Sequence, residues 1–250
     1  LKLGVDWSRR WTLGESKLGM VGAVNYTNEY RSFTDMQNNL FGVYDSANDR
    51  SNYLRNSTDN QYNDNKRLGA LLNLALLSKS GNNKYELKNI FNRIDNNRYT
   101  DRSGVNAQSD NEIGAEYYYR SRTTTNTQLT GKHTLPHDLL EWDLSYSYAN
   151  RRMPDRKHYT IDDALEHGTM ILTAGNEINR EFTKLDEHIM SANFNEKHDF
   201  KFGSFEPSLK LGGYGEYRSR KYKTRQFIYS WDMEENTLLA DFRKMDMTEL

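Results

Sequence analysis

The sequence predicts an all-β fold: a transmembrane antiparallel β-barrel, to which these 250 residues contribute about eight strands of a larger wall. Three observations lead there. Long segments alternate apolar and polar residues with the period of a strand. The connections alternate between short and long. The strand candidates run to ~12–24 residues, well beyond the ~5–6 usual in soluble sheets.

The first candidate, 1–11, is LKLGVDWSRRW, with Trp7 and Trp11 on one face just before the short connection TLGESK (12–17). An inner aromatic girdle is expected at that height. The second, 18–33, carries Leu18, Met20, Gly22, Val24 and Tyr26 on one face, with Gly19, Asn25, Thr27 and Glu29 opposite. A long connection, 34–66, follows. The third and fourth candidates, 67–79 and 84–95, flank the short SGNN (80–83). Here Tyr85, Leu87, Asn89 and Phe91 lead to Arg93, which departs from the pattern of the other ascending segments.

A connection over 96–111 leads to 112–134, and LPHD (135–138) turns the chain into 139–152. That segment alternates Leu140, Trp142, Leu144, Tyr146 and Tyr148 with Glu141, Asp143, Ser145, Ser147 and Ala149. After the long connection 153–182 come 183–200, the short KFGSFE (201–206) and 207–231, with Leu209, Leu211, Gly213, Gly215 and Tyr217 on one face.

In the three ascending segments 18–33, 139–152 and 207–231 an apolar start just past a short turn is followed eight residues on by a same-face tyrosine: Tyr26, Tyr148 or Tyr217. Eight residues at ~3.3 Å each, tilted by ~40°, climb roughly 20 Å, close to the ~25 Å apolar band of a membrane barrel. Trp7, Trp11, Tyr26, Trp142, Tyr148 and Tyr217 are therefore the expected membrane-interface aromatics. Short turns on one side and long loops on the other match the hairpin arithmetic of an outer-membrane barrel. The competing reading is a soluble β-sandwich or solenoid, in which the same apolar face packs on a second sheet.

Composition narrows the function classes. Hydrophobic residues make up 36% of the chain and mean hydropathy is −0.96, yet 12% aromatics and repeated alternation argue against disorder. Net charge is −1, so no global field favours nucleic acid. No cysteine is present, which excludes disulfides and thiolate chemistry. The longest apolar run, LGALLNLALL (68–77), is too short for a spanning helix. The chain opens inside a strand and closes in a polar segment, and is expected to be a piece of something longer.

No catalytic constellation is found, and no cofactor or metal is expected. His133 and His137 have helical i, i+4 spacing, but Pro136 and the turn argue against a helix there. HYTIDDALEHG gathers His158, Asp162, Asp163, Glu166 and His167, and reads as a solvated polar face in preference to a cation site. The carboxylate pairs Asp162/Asp163, Asp186/Glu187 and Glu234/Glu235 lie beside no nucleophile, so no enzyme is expected. The basic run Arg218, Arg220, Lys221, Lys223 and Arg225 reads as cations that meet anionic headgroups or line a lumen mouth. In loop 34–66, Phe41, Tyr44, Tyr53 and Tyr62 among amides suit a glycan or peptide, because rings stack while amides hydrogen-bond.

RLGALLNLALLSKSGNNKYELKNIFNRIDNN (67–97) resembles the barrel of TonB-dependent outer-membrane receptors of the Bacteroidetes type. QLTGKHTL (128–135), LEWDLSYSYANRRMPD (140–155) and FEPSLKLGGYGEYRSRKYKTRQF (205–227) resemble strands that follow in that family, so the similarity covers most of 60–230. The resemblance implies a 22-stranded barrel around an N-terminal plug, nutrient uptake, and a bacterial outer-membrane location. It implies as partners the lipid bilayer with its lipopolysaccharide, the inner-membrane TonB complex acting through the plug, and a surface lipoprotein. A passive channel, an export or assembly barrel, and a secreted β-protein for adhesion or glycan binding remain the alternatives. A free-standing eight-stranded barrel is disfavoured, because its narrow interior would have to pack long charged side chains.

Overall fold

The computed structural model describes residues 1–106, 109–165, 169–171 and 178–229. They form one antiparallel sheet of β1 (Lys2–Leu13), β2 (Ser16–Asp45), β3 (Arg50–Leu77), β4 (Asn83–Asn106), β5 (Ser109–Thr134), β6 (Asp138–Leu165), β8 (Ile178–Asp199) and β9 (Ser208–Tyr229), in that order across the sheet. The short β7 (Thr169–Ile171) pairs with β6. No helix occurs among the described residues. β1 pairs only with β2, and β9 only with β8, so the sheet is open and is not a closed eight-stranded barrel.

The four short turns lie where the sequence places them. Gly14, Gly81 and Gly203 each adopt a positive φ there (61°, 74° and 64°), a conformation that glycine reaches without Cβ strain. We call that end of the sheet the lower end.

The long connections are a correction. Residues 34–66 are not a loop: β2 runs on to Asp45 and β3 starts at Arg50, so the segment is a β-hairpin closed by residues 46–49. β4 likewise continues to Asn106, and β6 to Leu165. The reason is local. The expected strand 18–33 stops at Phe33, where a bulge between Phe33 and Met36 puts Asp35 at φ 58° and breaks the two-residue period. The expected strand 139–152 stops just before a second bulge, between Met153 and Arg156. Beyond each bulge the residues are mostly polar, with apolar side chains such as Leu40, Phe41 and Val43 in no sustained alternation, while the backbone ladder continues.

Register aligns the faces. Leu18 lies in one hydrogen-bonded row with Leu76, Tyr85, Gly131, Trp142, Phe194 and Gly213. Directly paired residues share a face, so the apolar alternations of β2, β6 and β9 all fall on one side, with Leu3, Val5 and Trp7 of β1 and Leu68 to Leu76 of β3. The LGALLNLALL run is explained at β3, where Leu71, Ala75 and Leu77 occupy the other face. No second layer covers the apolar face: Val5 is 73% exposed, Leu211 62% and Met190 54%. Only Ala115, Met153 and Ile178 are buried hydrophobics among the described residues.

Candidate functional site

The apolar face forms a band whose margins are oblique to the hydrogen-bonded rows. Tyr26 shares a row with Leu68 and Lys221, Tyr148 lies one same-face step lower beside Val24's row, and Tyr217 is lower again, in the row of Gly22. The lower margin falls in the same sense, from Leu18 in β2 to Leu209 in β9. A drop of about four residues over the interstrand steps from β2 to β9 inclines the strands by roughly 25° to the band normal, at ~3.3 Å per residue and ~4.8 Å per strand. Three tyrosines that look equivalent in sequence therefore follow a slanted line.

At the lower margin, Trp7 and Trp11 pack together with ring centroids 5.7 Å apart. Trp11 is in the lowest apolar row, opposite Leu18, while Trp7 is opposite Gly22 and so sits within the band instead of at its edge. Trp142 lies flat over Gly131, where an added Cβ would run into the indole. Its Nε1–H donates to His133 Nε2 (3.1 Å), and His133 Nδ1 meets Asn83 Oδ1 at 2.8 Å. Tyr85 approaches this cluster edge-on to His133 at 5.4 Å. Tyr85, Phe194, Phe200, Phe202 and Phe205 extend the aromatic margin, although the sequence pattern did not single them out as interface residues.

The structure does not bring Phe41, Tyr44, Tyr53 and Tyr62 into one group. Phe41 and Tyr53 pair across the hairpin with centroids 4.9 Å apart, and the Tyr44 hydroxyl donates to Asp49 near its turn. Tyr62 stands nine residues lower along β3 than Tyr53. A bulge at Leu54, where Leu40 pairs with Arg55 and Phe41 with Tyr53, resets the alternation, so Tyr62 shares the face of Tyr53 but lies well below it. There it stacks on Tyr99 at 6.2 Å, and Tyr99 meets Tyr117 at 4.9 Å. Burial first, then the charges of Tyr117 and Asp101, push the Tyr99 phenol up to about 12. These rings form a tyrosine stripe above the apolar band.

On the opposite, polar face the upper strands carry an arginine–carboxylate network. Arg102 donates to Asp59 through Nε (2.7 Å) and Nη2 (2.9 Å), and Asn38 adds a third bond to that carboxylate at 2.8 Å. Glu116 accepts from Arg98 (2.5 Å) and Arg156 (2.7 Å), and Arg156 also reaches Glu181. Burial opposes ionisation of Asp59 and Glu116, but the arginine hydrogen bonds and charges outweigh it, and both carboxyls lie below their usual range. Burial dominates at His158, which titrates below the ordinary histidine value. The guanidinium groups of Arg98, Arg120 and Arg156 surround the Tyr118 ring, at 4.9, 5.6 and 5.9 Å from its centre.

The basic run of β9 is divided between the faces. Arg218 and Arg220 reach Glu187 on the polar face (3.7 and 3.4 Å). Lys221 and Lys223 pair with Asp186 and Lys184 on the apolar side, one to two steps above the Tyr148–His188 row. His133 and His137 are not brought together, and no cluster of three or more metal-ligating side chains exists among the described residues. Asp186 and Glu187 point to opposite faces. Glu166, His167, Glu234 and Glu235, and the side chains of Asp162 and Asp163, lie outside the described residues.

No protein-family model matches the chain, and no curated protein matches it.

Proposed function

We propose that the chain is part of the wall of a bacterial outer-membrane β-barrel receptor that takes up a nutrient with energy delivered by the inner-membrane TonB complex. One observation carries the membrane part. The apolar face is continuous across the sheet, has no second layer on it, is bounded by aromatic residues, and slants across the hydrogen-bonded rows. A wall of tilted strands crossing a bilayer needs that slant, because strands in a barrel incline to its axis. A sandwich needs instead a partner sheet about 10 Å away.

In this reading Tyr26, Tyr148 and Tyr217 stand at the outer interface, Trp11 and Trp142 at the inner one, and Trp7 in the acyl region. Lys221, Lys223, Lys184 and Arg152, just above the outer tyrosines, meet the phosphates of lipopolysaccharide. The polar face lines the lumen, and the tall hairpins rise outside the cell, where Phe41 and Tyr53 or the Tyr62–Tyr99–Tyr117 stripe can meet a glycan, a peptide, a metal chelate or a surface lipoprotein. Coupling to TonB through a plug rests on the resemblance of residues 67–97 to TonB-dependent receptors.

The test uses the full-length protein in its native host. Isolated outer membranes are washed with carbonate and high salt. Retention until detergent is added supports the barrel wall, and release into the wash overturns it. Collapse of nutrient uptake when the proton-motive force is dissipated supports the energised receptor, whereas unchanged uptake favours a passive channel.

A further inference from the structure

Between β3 and β6, the cations on the polar face above the band are all arginines: Arg55, Arg67, Arg98, Arg102, Arg120, Arg122, Arg151 and Arg156. The carboxylates nearby are already engaged. Asp59 is held by Arg102, Glu116 by Arg98 and Arg156, Glu181 by Arg156, and Glu187 by Arg218 and Arg220. Arg55, Arg67, Arg120, Arg122 and Arg151 have no ion pair to any of them, and of these Arg120, Arg122 and Arg151 lie together on the adjacent strands β5 and β6.

These three are neighbours. Arg122 is directly opposite Arg151 across the β5–β6 ladder, and Arg120 follows Arg122 on the same face of β5. Like charges directly opposed in a sheet repel and destabilise it. The Nε–H groups of Arg98, Arg120 and Arg151 are also shielded from solvent without an acceptor, and a charged donor left in that state is costly. Directly opposed positions on the outer neighbours offer no anion: Ile94 and Asn96 lie beside Arg122 and Arg120 on β4, and Leu185 beside Arg151 on β8, while Glu187, diagonal to Arg151, is taken by Arg218 and Arg220. An incoming oxyanion removes both penalties at once, since it bridges the opposed charges and accepts from the free guanidinium edges. Arginine's planar fork suits that task better than lysine's point charge.

We propose that Arg120, Arg122 and Arg151 form a binding site for an oxyanion, a carboxylate, sulfate or phosphate carried by the solute that enters the lumen. The assignment of the anion to a transported solute rests on the receptor reading; the site itself does not. It gives that receptor a substrate class: acidic, sulfated or phosphorylated nutrients.

The experiment is isothermal titration of the purified full-length protein in detergent at fixed ionic strength, with sulfate and glucuronate as probes and glucose as the neutral control. Both anions are expected to bind and glucose not to. Arg122→Gln and Arg151→Gln should each weaken sulfate at least about tenfold, in line with loss of a charged hydrogen bond. Lys79→Gln, in the lower turn between β3 and β4 with the same loss of charge, should leave affinity unchanged. Arg122→Gln should also raise the melting temperature in the absence of oxyanion, because it relieves the opposed charges. Failure of wild type to bind either anion overturns the site, as does an equal loss with Lys79→Gln. A lower melting temperature for Arg122→Gln, with no sulfate binding by wild type, means that an acidic segment of the same chain occupies the arginines, and also overturns it. Carbonate extraction reports separately on the wall: a protein that washes out of the membrane yet binds sulfate here keeps the site and loses the transport role.

Discussion

The lower and upper parts of this sheet share the same strands and the same hydrogen-bonded ladder, yet they are held in different ways. Below the Tyr26–Tyr148–Tyr217 line, one face is a band of Leu, Val, Met and aromatic side chains with nothing packed on it. Above it, no continuous apolar face remains, and side chains are tied across strands by arginine–carboxylate pairs and stacked tyrosines. The lower part therefore depends on what surrounds it, because its apolar surface must be taken from water by something outside the sheet. The upper part depends on its own cross-strand pairs, each worth only a fraction of a kilocalorie to about 1 kcal/mol when exposed, and more when half-buried.

The sharpest way to break this contrast is to put one charge on each side of the line. Leu144→Arg, mid-band, should cost about 2–4 kcal/mol and reduce assembly into membranes, whereas Tyr62→Arg on the same face above the line should change stability by less than about 0.5 kcal/mol. Urea unfolding of the protein folded into vesicles measures both. Equal losses would remove the distinction between the two regions.

A smaller effect is expected in the upper network. Asp59→Asn leaves the half-buried Arg102 without its charge partner and should cost about 2 kcal/mol. The loss should be confined to the β2–β3–β4 hairpins, visible as faster hydrogen exchange there with the band unchanged.

Acid sharpens the same point. Asp59 and Glu116 have folded-state values below their usual ones, so their stabilisation is present above the ordinary carboxylate range and is lost as pH falls through the depressed values. The lowered value of His158 acts in the same direction, since the unfolded chain takes up its proton first. Protection of the upper strands should therefore fall between neutral pH and pH ~3, while the lower rows keep theirs. Protection lost first in the lower rows would contradict the division.

Smaller still is Gly131→Ala, which should displace Trp142 from its notch and cost about 1 kcal/mol or somewhat more, read as a shift in tryptophan fluorescence and melting temperature. The least intrusive test is ultraviolet titration. One phenol should ionise only near pH 12 and vanish from the titration in Tyr99→Phe, without any change in stability at neutral pH.

The lower region was legible in the sequence, since alternation such as Leu140, Trp142, Leu144, Tyr146 and Tyr148 gives strand, face and turn together. The upper region was not. Its strands are mostly polar with scattered apolar residues, so no period shows, and bulges at Asp35 and after Met153 shift the phase where the apolar pattern stops. The ligand residues suffered from the same blindness. Phe41, Tyr44, Tyr53 and Tyr62 look like one aromatic cluster in a loop, but in an extended hairpin Tyr62 stands nine residues below Tyr53 on β3, far from the Phe41–Tyr53 pair. Reading 50–77 as strand would have found that separation along its length, although not the bulge at Leu54 that returns Tyr62 to the face of Tyr53.

By itself the sequence determined the all-β class, the positions of the short turns and the presence of an amphipathic face, because each follows from local periodicity and from glycine at positive φ. Tertiary structure alone decided the register that lines those faces up into one slanted band, the extension of the hairpins, and the meeting of Arg122 with Arg151. Those depend on which residues face each other across strands far apart in the chain, and hydrogen bonds between backbones carry no mark of that pairing in the side-chain pattern.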